Sequence, residues 1–284
     1  MSRVAYVNGQ YLRHRDAYVH IEDRGYQFAD GIYEVCLVID GSYWDYEGHM
    51  ARMERSLNAL HIRMPMGLAA LKLVMQEVVK RNRLQNALVY MQVTRGVAKR
   101  NHAFPKNGAT PALILTAQRF DLDQSDSQAE RGVSVITVPD IRWRRVDIKT
   151  VGLLPNVLAK QAANEAGAAE AWQVRDGFVT EGSSSNAWIV NDKGVLITHP
   201  KTNDILGGIT RETAIACAHD LQIKVEERPF TVEEAIRAAE AFITSATNLV
   251  MPVVEIDGQK VANGAPGPIA AKLRDAYKVR AKRG

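Results

Sequence analysis

Five short segments of the chain carry residue types that chemistry uses. Lys149 stands in Val146-Asp147-Ile148-Lys149-Thr150. A lysine amine can hold an aldehyde as a Schiff base and then move protons. Alternation in an extended segment puts Ile148 and Lys149 on opposite faces, although position alone leaves Lys149 one lysine among many. Glu181 ends a predicted strand, directly before the flexible, hydroxyl-rich turn Gly182-Ser183-Ser184-Ser185-Asn186. A carboxylate there can pair with a protonated ring nitrogen, or can be a loop glutamate in solvent. Gly207-Gly208-Ile209-Thr210-Arg211 lets backbone approach a ligand and opens a helix, whose first N–H groups and dipole suit a phosphate. An ordinary capped loop reads the same way. Thr244-Ser245-Ala246-Thr247-Asn248 offers hydroxyls after a strand, either as a second arm of that phosphate clamp or as a plain strand-end turn. Arg100 and His102, two apart in a loop between strands, share a face and together can grip a carboxylate, or can be solvated.

The elements that must position these residues follow from periodicity. Val4–Val7, Asn8-Gly9 and Gln10–Leu12 form a hairpin pattern. Residues 32–39 and 42–46 read as strands around Asp40-Gly41. Two amphipathic helices are predicted over 49–60 and 68–80, followed by strands over 87–94 and 111–118. The polar stretch from Asp121 to Gln128 is short of apolar anchors and reads as an interdomain linker. Beyond it a strand over 133–138 precedes a helix over 155–166. Hairpins are predicted around Asp176-Gly177 and Asp192-Lys193-Gly194, helices capped by Thr210 and Thr231, and a short strand over 241–244. Strands and helices without strict alternation predict an α/β (α+β) fold. Its expected parts are a small N-terminal α/β domain over 1–120, a linker over 121–130 and a larger C-terminal domain with a mixed sheet or barrel core over 131–284.

Other chemistries are less well served. A Walker phosphate loop, a GxGxxG after the first strand, an HExxH helix and a GxSxG elbow are all missing, and the histidines do not fall at metal-ligand spacings. No metal is expected. The formal charge of +4 is too small to argue for nucleic acid, and the basic end around Arg274, Lys278, Arg280, Lys282 and Arg283 reads as a solvated helix face or tail. No membrane span or apolar signal run is visible. Cys36 and Cys217 read as buried free thiols, so the expected compartment is the cytoplasm.

Taken together and in this order, the segments resemble fold-type IV pyridoxal 5′-phosphate (PLP) enzymes, the group of branched-chain aminotransferases, D-amino acid aminotransferases and aminodeoxychorismate lyases. The resemblance runs from about Tyr6 to Ile256. It is carried by residues 22–34 (EDRGYQFADGIYE), His49-Met50-Ala51-Arg52, Lys149 with Asn156-Val157-Leu158-Ala159-Lys160, residues 181–186 (EGSSSN) and Gly208-Ile209-Thr210-Arg211. It implies PLP on Lys149 as the Schiff-base lysine and general acid/base, with Glu181 at the pyridine nitrogen. It implies a phosphate held by Arg52, Ile209, Thr210 and Thr247, and a ring supported by Leu206. It implies a substrate α-carboxylate bound by Tyr33, Arg100 and His102, the last two reaching across a homodimer. The Arg-x-His pair and the EGSSSN string are similar to the D-amino acid enzymes. Gly207 and Ala246 depart from that pattern, beside the phosphate, and put the strength of the cofactor grip in doubt. The implied activity is transamination of D-amino acids such as D-alanine with 2-oxo acids such as 2-oxoglutarate. The alternatives on the same fold are a branched-chain L-amino acid aminotransferase and an (R)-selective amine transaminase. A non-catalytic binding protein is the alternative of another class.

Overall fold

A computed structural model describes residues 3–282, so Arg283 lies outside the described residues. The chain forms two compact units. One comprises residues 3–120 together with Ile148–Gly152, and the other comprises Asp121–Asp147 and residues 153–282.

The first unit contains β1 (Val4–Val7), β2 (Gln10–Arg13), α1 (Arg24–Phe28), β3 (Gly31–Ile39), β4 (Ser42–Tyr43), α2 (Tyr46–Ala59), α3 (Leu68–Arg81), β5 (Ala87–Thr94) and β6 (Ala112–Arg119). Its six strands are ordered β2-β1-β6-β5-β3-β4. The Asn8-Gly9 and Asp40-Gly41 turns have positive φ at both central residues, the hairpin geometry that matches strand twist. Met50, Met53 and Leu57 of α2 and Leu71, Met75 and Val78 of α3 recur at helical spacing and are buried against the sheet. Alternation along β3 sends Ile32, Glu34 and Cys36 inward and leaves Tyr33 and Val35 half-buried. Residues 148–152 return to this unit along β3: Tyr33 N–H donates to Lys149 O at 3.0 Å, and Val151 N–H donates to Gly31 O at 3.1 Å.

The second unit contains α4 (Leu122–Arg131), β7 (Val133–Pro139), α5 (Leu154–Glu165), β8 (Glu170–Arg175), β9 (Phe178–Gly182), β10 (Asn186–Val190), β11 (Leu196–Thr198), α6 (Ile209–Asp220), β12 (Val225–Glu227), α7 (Val232–Ile236), β13 (Glu240–Ser245), β14 (Leu249–Ile256), β15 (Gln259–Lys260) and α8 (Pro268–Ala281). The sheet runs β12-β11-β10-β13-β14-β7-β8-β9, with β15 on β14, and mixes parallel and antiparallel pairs. Its core packs Trp172, Phe230, Ile189 and Ile243, while Trp188 stacks on Phe242 with ring centroids 5.3 Å apart.

Two readings of the sequence need correction. The segment from Asp121 is not an irregular linker. Asp121 caps α4 by accepting the Gln124 N–H at 3.0 Å, and Gly132 at φ 73° stops the helix. Its buried positions are Ser125 and Ala129, which is why it lacks apolar anchors. The basic end is not wholly solvated either. Arg274 is buried and donates to Ser125 Oγ (2.8 Å), Asp126 Oδ1 (2.9 Å) and the carbonyls of Asn248 (2.9 Å) and Val250 (2.7 Å). Burial pulls the Arg274 guanidinium down and Asp126 opposes it. Asp126 is partly exposed and keeps Lys278 at 2.6 Å, so the loss falls on the Ser125 hydroxyl and the Asn248 and Val250 carbonyls. Arg274→Ala is therefore expected to cost about 1–3 kcal/mol in urea unfolding. Arg280→Ala, which breaks an exposed pair with Asp220, should stay within about 1 kcal/mol.

Candidate active site

In the first unit the residues expected to do chemistry fall on both faces of β3. Ile148 enters the core, and Lys149 is half-buried on the other side, with Nζ 4.1 Å from the centre of the Tyr33 ring. Tyr33 in turn stacks on Tyr90, centroids 5.7 Å apart, and Tyr90 donates to Gln92 at 2.7 Å. The Lys149 N–H faces Ser56 Oγ of α2 at 3.4 Å. Lys149 and Tyr33 are thus brought together by hydrogen bonding between the 148–152 strip and β3.

Arg52 lies beneath the strand. Its Nε and Nη2 donate to the two oxygens of Glu34 at 2.7 and 2.8 Å, and His49 Nδ1 is 2.8 Å from the same carboxylate. Glu34 is fully buried. Burial works to raise its carboxyl, but Arg52 and His49 outweigh it and hold the group well below the usual range. The pair recurs at one helical turn in α2, so His49 and Arg52 share a face. Nothing in the spacing of Glu34 announced it as their partner.

The loop carrying Arg100 and His102 is exposed and organised around Phe28. The Arg100 guanidinium lies 5.2 Å from that ring, and the His102 ring 5.4 Å from it. Arg24 ties the loop down through the carbonyls of Asn101 and His102, and its Nε donates to Asp30 at 2.7 Å. Asp30 also receives Arg95. The signature over residues 22–34 is therefore a scaffold fixed by buried Asp23, Arg24 and Glu34: Asp23 caps α1, and a Cβ on Gly25 would sit 2.2 Å from Thr94 Cγ2. Among the described residues no hydrogen bond or ring contact joins Arg100 or His102 to Tyr33.

In the second unit Glu181 is buried at the end of β9, and both of its oxygens are occupied by donors. Oε1 pairs with Arg142 Nη1, while Oε2 accepts Asn186 Nδ2 at 2.9 Å and the Leu206 N–H at 3.1 Å. Burial is the largest influence on this carboxyl and pushes it up, against Arg142 and the Leu206 N–H. Arg142 was not singled out from the sequence. It is buried, and it also donates to Asp140, Thr180 and the Asp204 carbonyl. Arg175 binds the same Asp140 and Asp204.

Asn186 bridges onward, donating to Leu206 O at 2.9 Å. Its Oδ1 lies 2.0 Å from where a Cβ on Gly208 would stand, so only glycine fits there. Gly208 is the N-cap of α6, and Ile209 and Thr210 open the helix, where N–H groups have no intrahelical partner. Thr210 is buried. Buried Arg211 anchors this turn to His199 O at 2.9 Å and to Glu227 at 2.6 Å. Thr247 is exposed, 3.1 Å from Ser245 Oγ. Gly207 is flanked by the Lys201 stem, whose Nζ pairs with Glu212 at 2.7 Å.

A family model described as "Amino-transferase class IV" matches residues 31–256. The chain is 42% identical over 269 residues to a D-alanine aminotransferase of Bacillus licheniformis, covering 95% of this chain and 94% of that one. It is 40% identical to a D-alanine aminotransferase of Staphylococcus haemolyticus, over 96% of this chain and 95% of that one. The solved branched-chain amino acid aminotransferase of Escherichia coli superposes with a TM-score of 0.89 at 24% identity, over 99% of this chain and 95% of that one, which speaks to the fold.

The Glu34 pair sets a pH dependence. Its folded carboxyl lies below the unfolded value of about 4.3. The stabilisation is therefore complete above that value and is lost as pH falls toward the folded one. Glu34→Gln should lower stability at neutral pH by about 3–5 kcal/mol. It should also flatten the acid limb of a plot of urea midpoint against pH.

Proposed function

Because the chain belongs to the class IV aminotransferase family, we propose that it moves the amino group of D-amino acids such as D-alanine to 2-oxo acids such as 2-oxoglutarate, with pyridoxal 5′-phosphate as cofactor. Similarity to D-alanine aminotransferases over 95% of the chain carries the reading. The residues present fit the cofactor. Lys149 is an amine suited to its aldehyde. Glu181 is a buried carboxylate suited to its ring nitrogen. The first turn of α6 at Ile209 and Thr210, which glycine lets stand close, is suited to its phosphate, together with Arg52 and Thr247. Leu206 supports the ring.

When bound, PLP supplies an electron sink that makes the α-hydrogen of a joined amino acid removable as a proton. The chain's part is positioning and proton transfer. Lys149 takes the α-proton and returns it on the other side of the exchange. A positioned base contributes about 10²–10⁴-fold. Glu181, its oxygens pinned by Arg142, Asn186 and the Leu206 N–H, presents a carboxylate that does not have to reorganise. Tyr33, Arg100 and His102 hold the substrate carboxylate and so choose which enantiomer turns its α-hydrogen toward Lys149.

Arg100 and His102 stand exposed on their loop, which supports a homodimer in which this loop serves the partner's site. Tyr18, Ile21 and Tyr26, each at least 76% exposed in the same unit, suit a buried subunit contact. Cys36 and Cys217 are buried and form no disulfide among the described residues, which suits a reducing cytoplasm. No helix among the described residues is long and apolar enough to cross a membrane.

The purified protein should be yellow and should lose that absorbance on adding D-alanine but not L-alanine. It should turn over D-alanine with 2-oxoglutarate in preference to L-leucine. Bleaching by L-leucine alone would transfer the assignment to the branched-chain enzymes. Lys149→Ala should abolish turnover. Arg100→Ala should raise KM for D-alanine about tenfold to a hundredfold, measured by steady-state kinetics, and should erode the preference for the D form.

A further inference from the structure

The hydroxyls of the three serines after Glu181 turn inward, even that of exposed Ser184. All three hydroxyls converge on one buried side chain, Glu170 at the start of β8, which is 1% exposed. Its Oε1 accepts the N–H groups of Ala171 (2.9 Å) and Ser183 (3.2 Å) and the Ser183 hydroxyl. Its Oε2 accepts the Ser184 N–H (3.2 Å), Ser184 Oγ (2.8 Å) and Ser185 Oγ (3.0 Å). Glycine at 182 belongs to the same construction, because a Cβ there would stand 2.3 Å from Ser185 Oγ and 3.2 Å from the Glu170 carboxyl carbon. One turn of α5 supports it from outside: Asn156 Nδ2 donates to Ser183 O at 2.8 Å, and Lys160 Nζ lies 3.9 Å from Glu170.

The turn so held has Glu181 at one end and Asn186 at the other, and these two are joined by their own 2.9 Å hydrogen bond. The geometry points to Glu170 as a positioning residue for the cofactor site. By anchoring the 182–185 turn it sets the orientation of the Glu181 carboxylate and, through Asn186, of Leu206 and the Gly208 start of α6. This rests on the reading of Glu181 and α6 as the cofactor's ring and phosphate partners. The serine hydroxyls are committed to Glu170 and are not phosphate ligands.

Glu170→Gln is the discriminating variant. Both carboxylate oxygens accept a backbone N–H, so an amide set either way round turns its NH2 group against one of them. A hydroxyl can rotate to relieve such a clash, but a backbone N–H cannot. Three measurements are made on wild type and variant: hydrogen exchange of the 178–186 peptide without cofactor, the Kd for PLP by absorbance titration, and kcat of the loaded enzyme with D-alanine. The expected result is faster exchange in the turn, a PLP Kd raised at least tenfold and kcat lowered at least tenfold, with KM for D-alanine within about threefold. Faster exchange with Kd and kcat both within twofold of wild type would reduce Glu170 to a fold-holding residue and overturn the proposal, as would unchanged exchange. If Glu170→Gln does not fold, Ser184→Ala/Ser185→Ala removes two donors and is read by the same criteria. A wild type that binds PLP but ignores D-alanine would refute the substrate reading, while the Kd comparison would still decide the role of Glu170.

Discussion

A carboxylate taken out of water costs several kcal/mol unless donors replace the solvent, and much of the second unit is arranged around supplying them to Glu181. Arg142 approaches one oxygen, and Asn186 and the Leu206 N–H approach the other. Arg142 is itself buried and therefore needs Asp140, which in turn binds Arg175. The chain of charges ends at Asp204, which is partly exposed. Each member answers the desolvation of the one before it. The loop after β7, the strands β8 and β9 and the segment before α6 are tied together by this sequence of pairings, in addition to the apolar packing of Trp172 and Val179 in the core.

The same logic operates once more in each unit. Glu34 is carried into the core of the first unit by the alternation of β3, and α2 brings His49 and Arg52 to meet it. Because β3 alternates, committing Glu34 to the core commits Tyr33 to the opposite face, where the 148–152 strip places Lys149 beside it. In the second unit Glu170 organises the serine turn in the same manner. Buried acids with complete sets of donors act here as fixed points, and the side chains suited to chemistry are their neighbours. That is what a preorganised polar site requires, since dipoles already in place need no rearrangement during reaction.

Local structure was legible to the extent that local rules decide it. The hairpins at Asn8-Gly9 and Asp176-Gly177 and the cores of α2, α3, α5 and α6 follow from turn chemistry and from apolar spacing near 3.6. The helix α4 was misread because its inward face is Ser125 and Ala129, with Asp126 beside them bound to Arg274 and Lys278. A polar helix face looks like a loop when its partner is far away in the chain. The short α1 was overlooked for a similar reason: five residues give no period, and its cap Asp23 shows its purpose only beside Thr94.

The amino-acid order alone determined which chemistries this chain has the groups for: an amine at 149, an acid at 181 before a run of hydroxyls, and a glycine-led helix start at 208. It also determined the face on which each strand residue lies, because that alternation is a property of the backbone. Only the tertiary structure decided partners. It gave Glu181 to an arginine 39 residues earlier and Arg274 to an aspartate 148 residues away. It spent three serines on Glu170 and set Arg52 against Glu34. Such pairings depend on how distant segments register in the folded sheets, and neither propensity nor spacing encodes that register.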